Sequence, residues 1–371
     1  MYPTSHTAPP PGDQRLVVRS IGRAPLSIHR PLVPLTGLSA SEVVGRLYRA
    51  PSVLLDGVDG ALAEQLSTIL QDGGLDTAVE PQGLPFAPGE GDRDVALHLR
   101  DPSRLRAVAA EIAVFLGCDL ATAARTLCSS PALLVGQVSA ATVAALEARL
   151  GPLDVELDVS LASTAIYDLF LAEEAAGSRA IVVASLRALG HPALPAGPMV
   201  ASGLPRAAAD HLWKELHHRL PIRLVDQSFE RFDVRLERAP ATPALEAVLV
   251  ELTGMPARVA KKIPTKLPIV LLESVRREAA HAALAALAEV GAQASANLLT
   301  FQTLGLVVEQ VADAGRVTGL LGALLELPEP EVSAGLRRLP WTISGPYTSA
   351  QARWLRAELG ELGVQSRLEL R

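Results

Sequence analysis

The densest run of side chains able to do chemistry is Arg258, Lys261, Lys262 and Lys266, four positive charges within nine residues, with no acid among them and three of the chain's four lysines. Clustered cations of this kind carry no reaction by themselves. They steer and select an acidic partner, or they keep a helix face in water. His211, Glu215 and His218 recur at i, i+4 and i+7, one helical face on which two imidazoles and a carboxylate can hold a divalent metal. That face lies opposite the apolar stripe of Leu212, Trp213, Leu216 and Leu220, and structural metal sites normally add a fourth ligand and a supporting shell. The spacing therefore predicts a solvated polar face, with neither metal nor cofactor. Cys118 and Cys128 sit ten residues apart among apolar neighbours, with no His or Lys beside them to activate a thiolate, and read as packed small hydrophobes. Trp341 and Tyr347 border one short apolar run and serve either as an exposed anchor for a partner or as a cap on the local core.

No Gly-rich phosphate loop, Ser-, Cys- or His-centred nucleophile motif or paired-carboxylate context stands out from ordinary surface charge. The chain reads as non-enzymatic. Its net charge of -6 gives no general attraction to nucleic acid or to an anionic membrane, so nucleic acid is not an expected partner. Thirty of the 34 basic residues are Arg, which fits a GC-rich genome and receives no functional weight. No stretch of roughly eighteen apolar residues occurs to span a bilayer, the Pro-, Thr- and Ser-rich start lacks the apolar centre of a signal peptide, and two cysteines make no disulfide framework. A reducing cytoplasm is the expected location.

A chain of 371 residues exceeds what one core of roughly 250–300 residues supports, so several domains are expected. With 49% apolar but only 4% aromatic residues, their cores should be small and aliphatic. A worn repeat supplies the divisions. A helix ends at Pro, a short β-branched or Leu-rich run follows, and a small or polar residue opens an Ala-rich helix. This happens at Pro51, Pro131, Pro268 and Pro340, in steps of 80, 137 and 72 residues, so the middle step spans two repeats and one Pro landmark is lost there.

Each repeat opens with a strand, at 15–18, 95–99, 166–170, 232–236 and 304–308, and closes with another after a small residue or Pro, at 75–79, 154–159, 222–225, 292–296 and 364–370. The expected fold class is α+β: five tandem β-α-α-β-α-β-like repeats of about seventy residues, each a small antiparallel sheet covered on one face by helices. Repeat two illustrates the order, with strand 94–99, helices 103–116 and 120–128, a brief extended run at 133–135, helix 140–150 and strand 154–159. The expected boundaries are a disordered tail over 1–13, repeat one over 14–82, a linker over 83–92, repeat two over 93–161, repeat three over 162–228, repeat four over 229–299 and repeat five over 300–371. In repeat three the Pro- and Gly-rich 191–198 cannot be helical and replaces the short helix with a loop. The Pro- and Gly-rich 81–91 is the longest linker and the expected mobile joint.

Repeat four, from Phe232 to Leu298, resembles the C-terminal domain of the bacterial ribosomal stalk protein of the large subunit. The likeness lies in an opening Phe232-Asp233-Val234-Arg235-Leu236-Glu237, the helix from Leu245 to Gly254, Ala257 to Lys262, a closing Pro and a final Ala-rich helix ending at Glu289-Val290-Gly291-Ala292. It extends less strongly to repeats two and five and weakly to one and three. In that family the basic face of the two middle helices touches translational GTPases, and the matching positions here are Arg258, Lys261, Lys262 and Lys266. The stalk's N-terminal dimerisation region and hinge have no counterpart in this chain.

Repetition of one scaffold favours a binding array in which weak contacts combine. The leading expectation is a scaffold or adaptor that binds protein partners within a larger bacterial assembly, homo- or hetero-oligomeric. The alternatives are a recruiter of translational GTPases through the lysines of repeat four, and an enzyme with a cleft between repeats.

Overall fold

A computed structural model describes residues 12–171, 177–325 and 327–370. Most of the expected tail, residues 1–11, lies outside the described residues. Repeat one comprises β1 (Gln14–Ser20), α1 (His29–Thr36), α2 (Ala40–Tyr48), β2 (Ser52–Val58), α3 (Gly60–Asp72) and β3 (Asp76–Pro81). Repeat two has β4 (Arg93–Leu99), α4 (Leu105–Leu116), α5 (Leu120–Leu127), β5 (Ala132–Val138), α6 (Ala140–Leu150) and β6 (Val155–Leu161). Repeat three has β7 (Ile166–Leu171), α7 (Ser178–Ala188), β8 (Met199–Pro205), α8 (Arg206–Leu216) and β9 (Ile222–Asp226), with no second helix before β8. Repeat four has β10 (Arg231–Arg238), α9 (Pro243–Thr253), α10 (Ala257–Ala260), β11 (Ile269–Arg276), α11 (Arg277–Glu289) and β12 (Gln293–Leu298). Repeat five has β13 (Thr303–Gln310), α12 (Ala314–Leu325), α13 (Glu329–Leu336), β14 (Trp341–Thr348), α14 (Ser349–Glu361) and β15 (Gln365–Leu370).

Every repeat is a three-stranded sheet with its first strand in the centre, in the orders β2-β1-β3, β5-β4-β6, β8-β7-β9, β11-β10-β12 and β14-β13-β15. The brief extended run of the sequence is a full strand of seven or eight residues, so each sheet has three strands and not two. The reason is physical. In β2 only the first half is apolar and packed inward, while Asp56 and Gly57 continue the strand into solvent, so hydrophobic pattern marks half of it. The lost Pro landmark is present as Pro198, immediately before β8. The peptide bonds preceding Pro51, Pro131, Pro268 and Pro340 are cis.

At one place in all five middle strands the backbone turns to positive φ: Gly57, Gln137, Gly203, Ser274 and Gly345. Strand pairing shifts beside these residues in repeats one, three, four and five, which makes them bulges. A side chain at positive φ is disfavoured unless the surroundings fix it. In repeats two, three and four an aspartate of the central strand does so, accepting the bulge N–H: Asp94 Oδ1 from Gln137 at 2.9 Å, Asp168 Oδ1 from Gly203 at 3.2 Å and Asp233 Oδ1 from Ser274 at 2.9 Å.

The chain forms two compact bodies, one of the chain up to Leu127 with Leu133–Leu157, the other of Cys128–Ala132 with the chain from Asp158 onward. In the first, one apolar core runs through repeats one and two and includes Leu16, Leu47, Val95, Val108, Phe115 and Leu146. Tyr48 of α2 is central to it: its hydroxyl donates to the Phe115 carbonyl at 3.0 Å and its ring lies 5.5 Å from that of Phe115. Burial pushes the Tyr48 phenol well above its ordinary range. Each large side chain enclosed there contributes about 1.5–3 kcal/mol, so the two repeats are joined by the same force that folds them. The linker between them is strapped down. Arg15 donates to the Leu84 and Pro85 carbonyls at 3.0 and 3.4 Å and lies 4.8 Å from the Phe86 ring centre, while Gly89 donates to the Pro51 carbonyl at 2.7 Å.

In the second body, repeats three, four and five each enclose a separate core, centred on Leu169 and Leu212, on Val234 and Leu249, and on Leu306 and Leu321. They are joined by buried ion pairs and by Phe170 against Phe301, ring centres 4.6 Å apart. Among the described residues no single helix is long and apolar enough to cross a membrane; residues 102–116 and α5 pass such a test only as a pair, bent by 114°.

Candidate functional site

Repeat four displays its cations because its short helix is anchored by small means. Thr242 caps α9, its hydroxyl accepting the Leu245 N–H at 3.2 Å, and Gly254 ends the helix at φ 67°. Ala260 of α10 and Ile263 in the following 3-10 turn face the core three residues apart. The positions between and around them must then face outward. Arg258, Lys261, Lys262 and Lys266 are all exposed, and none of the four makes an ion pair with a carboxylate among the described residues. Val259, 42% exposed, lies among them, giving the basic face an apolar contact.

The corresponding helices keep the inward residues and change the outward ones. Helix α2 buries Val43 and Leu47 under a Ser39–Glu42 capping box, and α5 buries Ala123 and Leu127. Helix α13 buries Val332 and Gly335 and begins with Glu329 and Glu331, which stand where repeat four has Ala257 and Val259, and the exposed Arg337 and Arg338 follow it. In repeat five Gly315, Gly319 and Gly322 of α12 leave a groove of about 540 Å³ against α13, bordered by Ser333 and Arg337.

Trp341 and Tyr347 are not an exposed anchor. Both are partly buried and packed on the core of repeat five, paired across the sheet with Val308 and Leu304 at opposite ends of β14. A Cβ added to Gly335 would lie 2.2 Å from the Trp341 ring, so glycine is what lets the indole lie flat on α13. The exposed tryptophan is Trp213, 43% accessible. The buried face of α8 is Ala208, Ala209, Leu212 and Leu216, which turns Trp213 out to stack on His217 at 4.6 Å. His211 and Glu215 do share the polar face, 3.9 Å apart, but α8 ends at Leu216 and the ring of His218 is turned onto His217 at 3.4 Å, so the three do not converge. Both cysteines are free; Cys128 is buried, which pushes its thiol up to about 11.

Sequence reasoning missed the buried ionic residues that join repeats three, four and five to one another and Asp158, in β6, to repeat four. Arg353 of α14 donates through Nη2 to both oxygens of Asp233 at 2.9 and 3.1 Å and through Nη1 to Glu273 at 2.5 Å. Arg277, at the start of α11, bonds both Asp168 and Glu230, its Nε reaching Glu230 Oε2 at 3.0 Å, and its guanidinium lies 5.7 Å from the Phe232 ring centre. Asp158 receives Arg231 through three hydrogen bonds of 2.7–3.0 Å and Arg276 at 3.0 Å. One signal was available: Asp94, Asp168 and Asp233 hold the same position in three opening strands. Compared with protein-family models, curated proteins and solved structures, the chain has no match.

Proposed function

We propose that this protein is a non-enzymatic scaffold or adaptor of the bacterial cytoplasm, in which one small fold is repeated so that differently charged faces bind different protein partners of a larger assembly. The observation that carries this reading is the second helix of the repeats, whose inward residues stay apolar while its outward residues differ, with Arg258, Lys261 and Lys262 in repeat four and Glu329 and Glu331, at other positions, in repeat five. Core positions serve the fold; outward charges that differ over the same core serve recognition. The basic face of repeat four, unpaired and interrupted by Val259, suits an acidic segment bearing an apolar residue.

A second reading takes that face as a recruiter of translational GTPases, favoured by its match to the stalk-like positions. Reversing Lys261 and Lys262 to Glu separates the two. Capture of partners by the full-length protein is expected to fall about tenfold or more for those that dock there, with stability unchanged to about 0.5 kcal/mol because both residues are exposed. Elongation factors among the lost partners favour recruitment to the translation machinery; loss of other proteins favours the scaffold. Undiminished binding of every partner would remove the basic face from both readings.

A further inference from the structure

The junction of repeats three and four holds more acid than base. Asp168 of β7 is fully buried and Glu230, in the link to β10, is 1% exposed; among the described residues the one cation between them is Arg277, from α11 of the following repeat. Asp168 is well supplied with donors: Ser202 Oγ at 2.7 Å, Gln227 Nε2 at 2.6 Å, Gly203 N at 3.2 Å and Arg277. Glu230 receives Arg277 on Oε2, and its Oε1 is buried with no hydrogen-bond donor among the described residues. The neighbouring charges are committed elsewhere. Arg231 turns to Asp158, and Asp226 accepts from Ser160 at 2.5 Å and from the Ser228 N–H at 2.9 Å. With both carboxyls ionised the enclosed cluster carries a net negative charge, and an ionised oxygen left bare in a protein interior is costly. A proton on Glu230 removes that charge.

We propose that Asp168, Glu230 and Arg277 form a proton-dependent clasp between repeats three and four, closed while Glu230 is protonated and loosened when that proton is lost. The two carboxyls divide the roles by their surroundings. Burial pushes Glu230 up from 4.5 to about 8, assisted by the charge of Asp168 and opposed by Arg277. Burial also pushes Asp168 up, but hydrogen bonds from Gln227 and Ser202 and the charge of Arg277 outweigh it and hold that carboxyl below its ordinary range. A carboxyl whose pKa is raised by folding contributes stability that is full below its unfolded value and is lost as pH rises through the folded one. The loss therefore runs from about pH 4.5, the unfolded value, to about pH 8. The clasp of Asp233 with Arg353 has Ser274 N–H as an added donor and only the half-exposed Glu273 as a second acid, and burial raises Asp233 as well, against the charge of Arg353.

Native-state hydrogen exchange of the full chain, read by mass spectrometry from about pH 6 to about pH 9 and corrected for the intrinsic rate, tests this. Peptides covering β7 and the start of α11 are expected to open about tenfold more often per pH unit up to about 8 and to level off above it. Glu230→Gln, which keeps the shape and removes the titration, is expected to abolish the rise. A flat wild-type profile, or a rise that persists in Glu230→Gln, overturns the proposal. Should that variant fail to fold, infrared titration of the wild-type protein decides: a protonated-carboxyl band lost with a midpoint near 8 supports the clasp, and its absence at neutral pH overturns it.

Discussion

Replacing Arg277 by Ala is expected to destabilise the second body by about 3–5 kcal/mol, the cost of leaving a buried carboxylate without its cation. Asp168 is fully enclosed and keeps its charge, whereas Glu230 holds a proton and loses less. The three tryptophans, Trp213, Trp341 and Trp354, all lie in the second body, so urea unfolding followed by their fluorescence reads this loss directly. Combining Arg277→Met with Asp168→Asn and Glu230→Gln should recover much of it, because a neutral polar group of the same shape leaves no bare charge behind. Equal losses for the single and the triple variant would mean that packing, and not charge, holds this junction.

An effect of the same size is expected at Asp158. Its carboxylate is 4% exposed and accepts from Arg231, itself 9% exposed, and from the half-exposed Arg276. Asp158→Ala leaves the guanidinium of Arg231 enclosed, with the Ser274 carbonyl at 3.1 Å still accepting from it. The expected loss is about 3–5 kcal/mol for Ala, and about 1–3 kcal/mol for Asn, which retains an acceptor. Arg276→Ala, removing the exposed partner, should cost no more than about 1 kcal/mol. A small effect of Asp158→Ala in the same fluorescence assay would contradict the ionic join.

The contrast with the first body explains where sequence reading succeeded and where it stopped. Strands and helices follow from periodicity within a few residues, and ten of the sheet strands, opening and closing all five repeats, were legible in runs such as Leu16-Val17-Val18 and Leu306-Val307-Val308. The middle strands were half legible, because beyond residues such as Leu54 and Leu134 their outer ends are polar and bulged. The ionic joins were not legible, since Asp158 and Arg276 stand 118 residues apart and nothing local marks them as partners. Trp213 shows the opposite failure: hydrophobicity assigned it to the core, whereas the packing phase of α8, set by Ala209, Leu212 and Leu216, turns it outward. Lys261 and Lys262 are exposed because Ala260 and Ile263 take the inward places. What those lysines bind rests on chemistry alone.

The proposed array makes different repeats touch different neighbours, and cross-linking of the tagged full-length protein in its native cells, with linked peptides identified by mass spectrometry, measures that directly. The expected result is a reproducible set of links in which the face of Lys261, Lys262 and Lys266 joins one protein while the acidic α13 of repeat five joins another. Links confined to a single repeat and a single partner, or no stable partner at all, would contradict a multivalent scaffold.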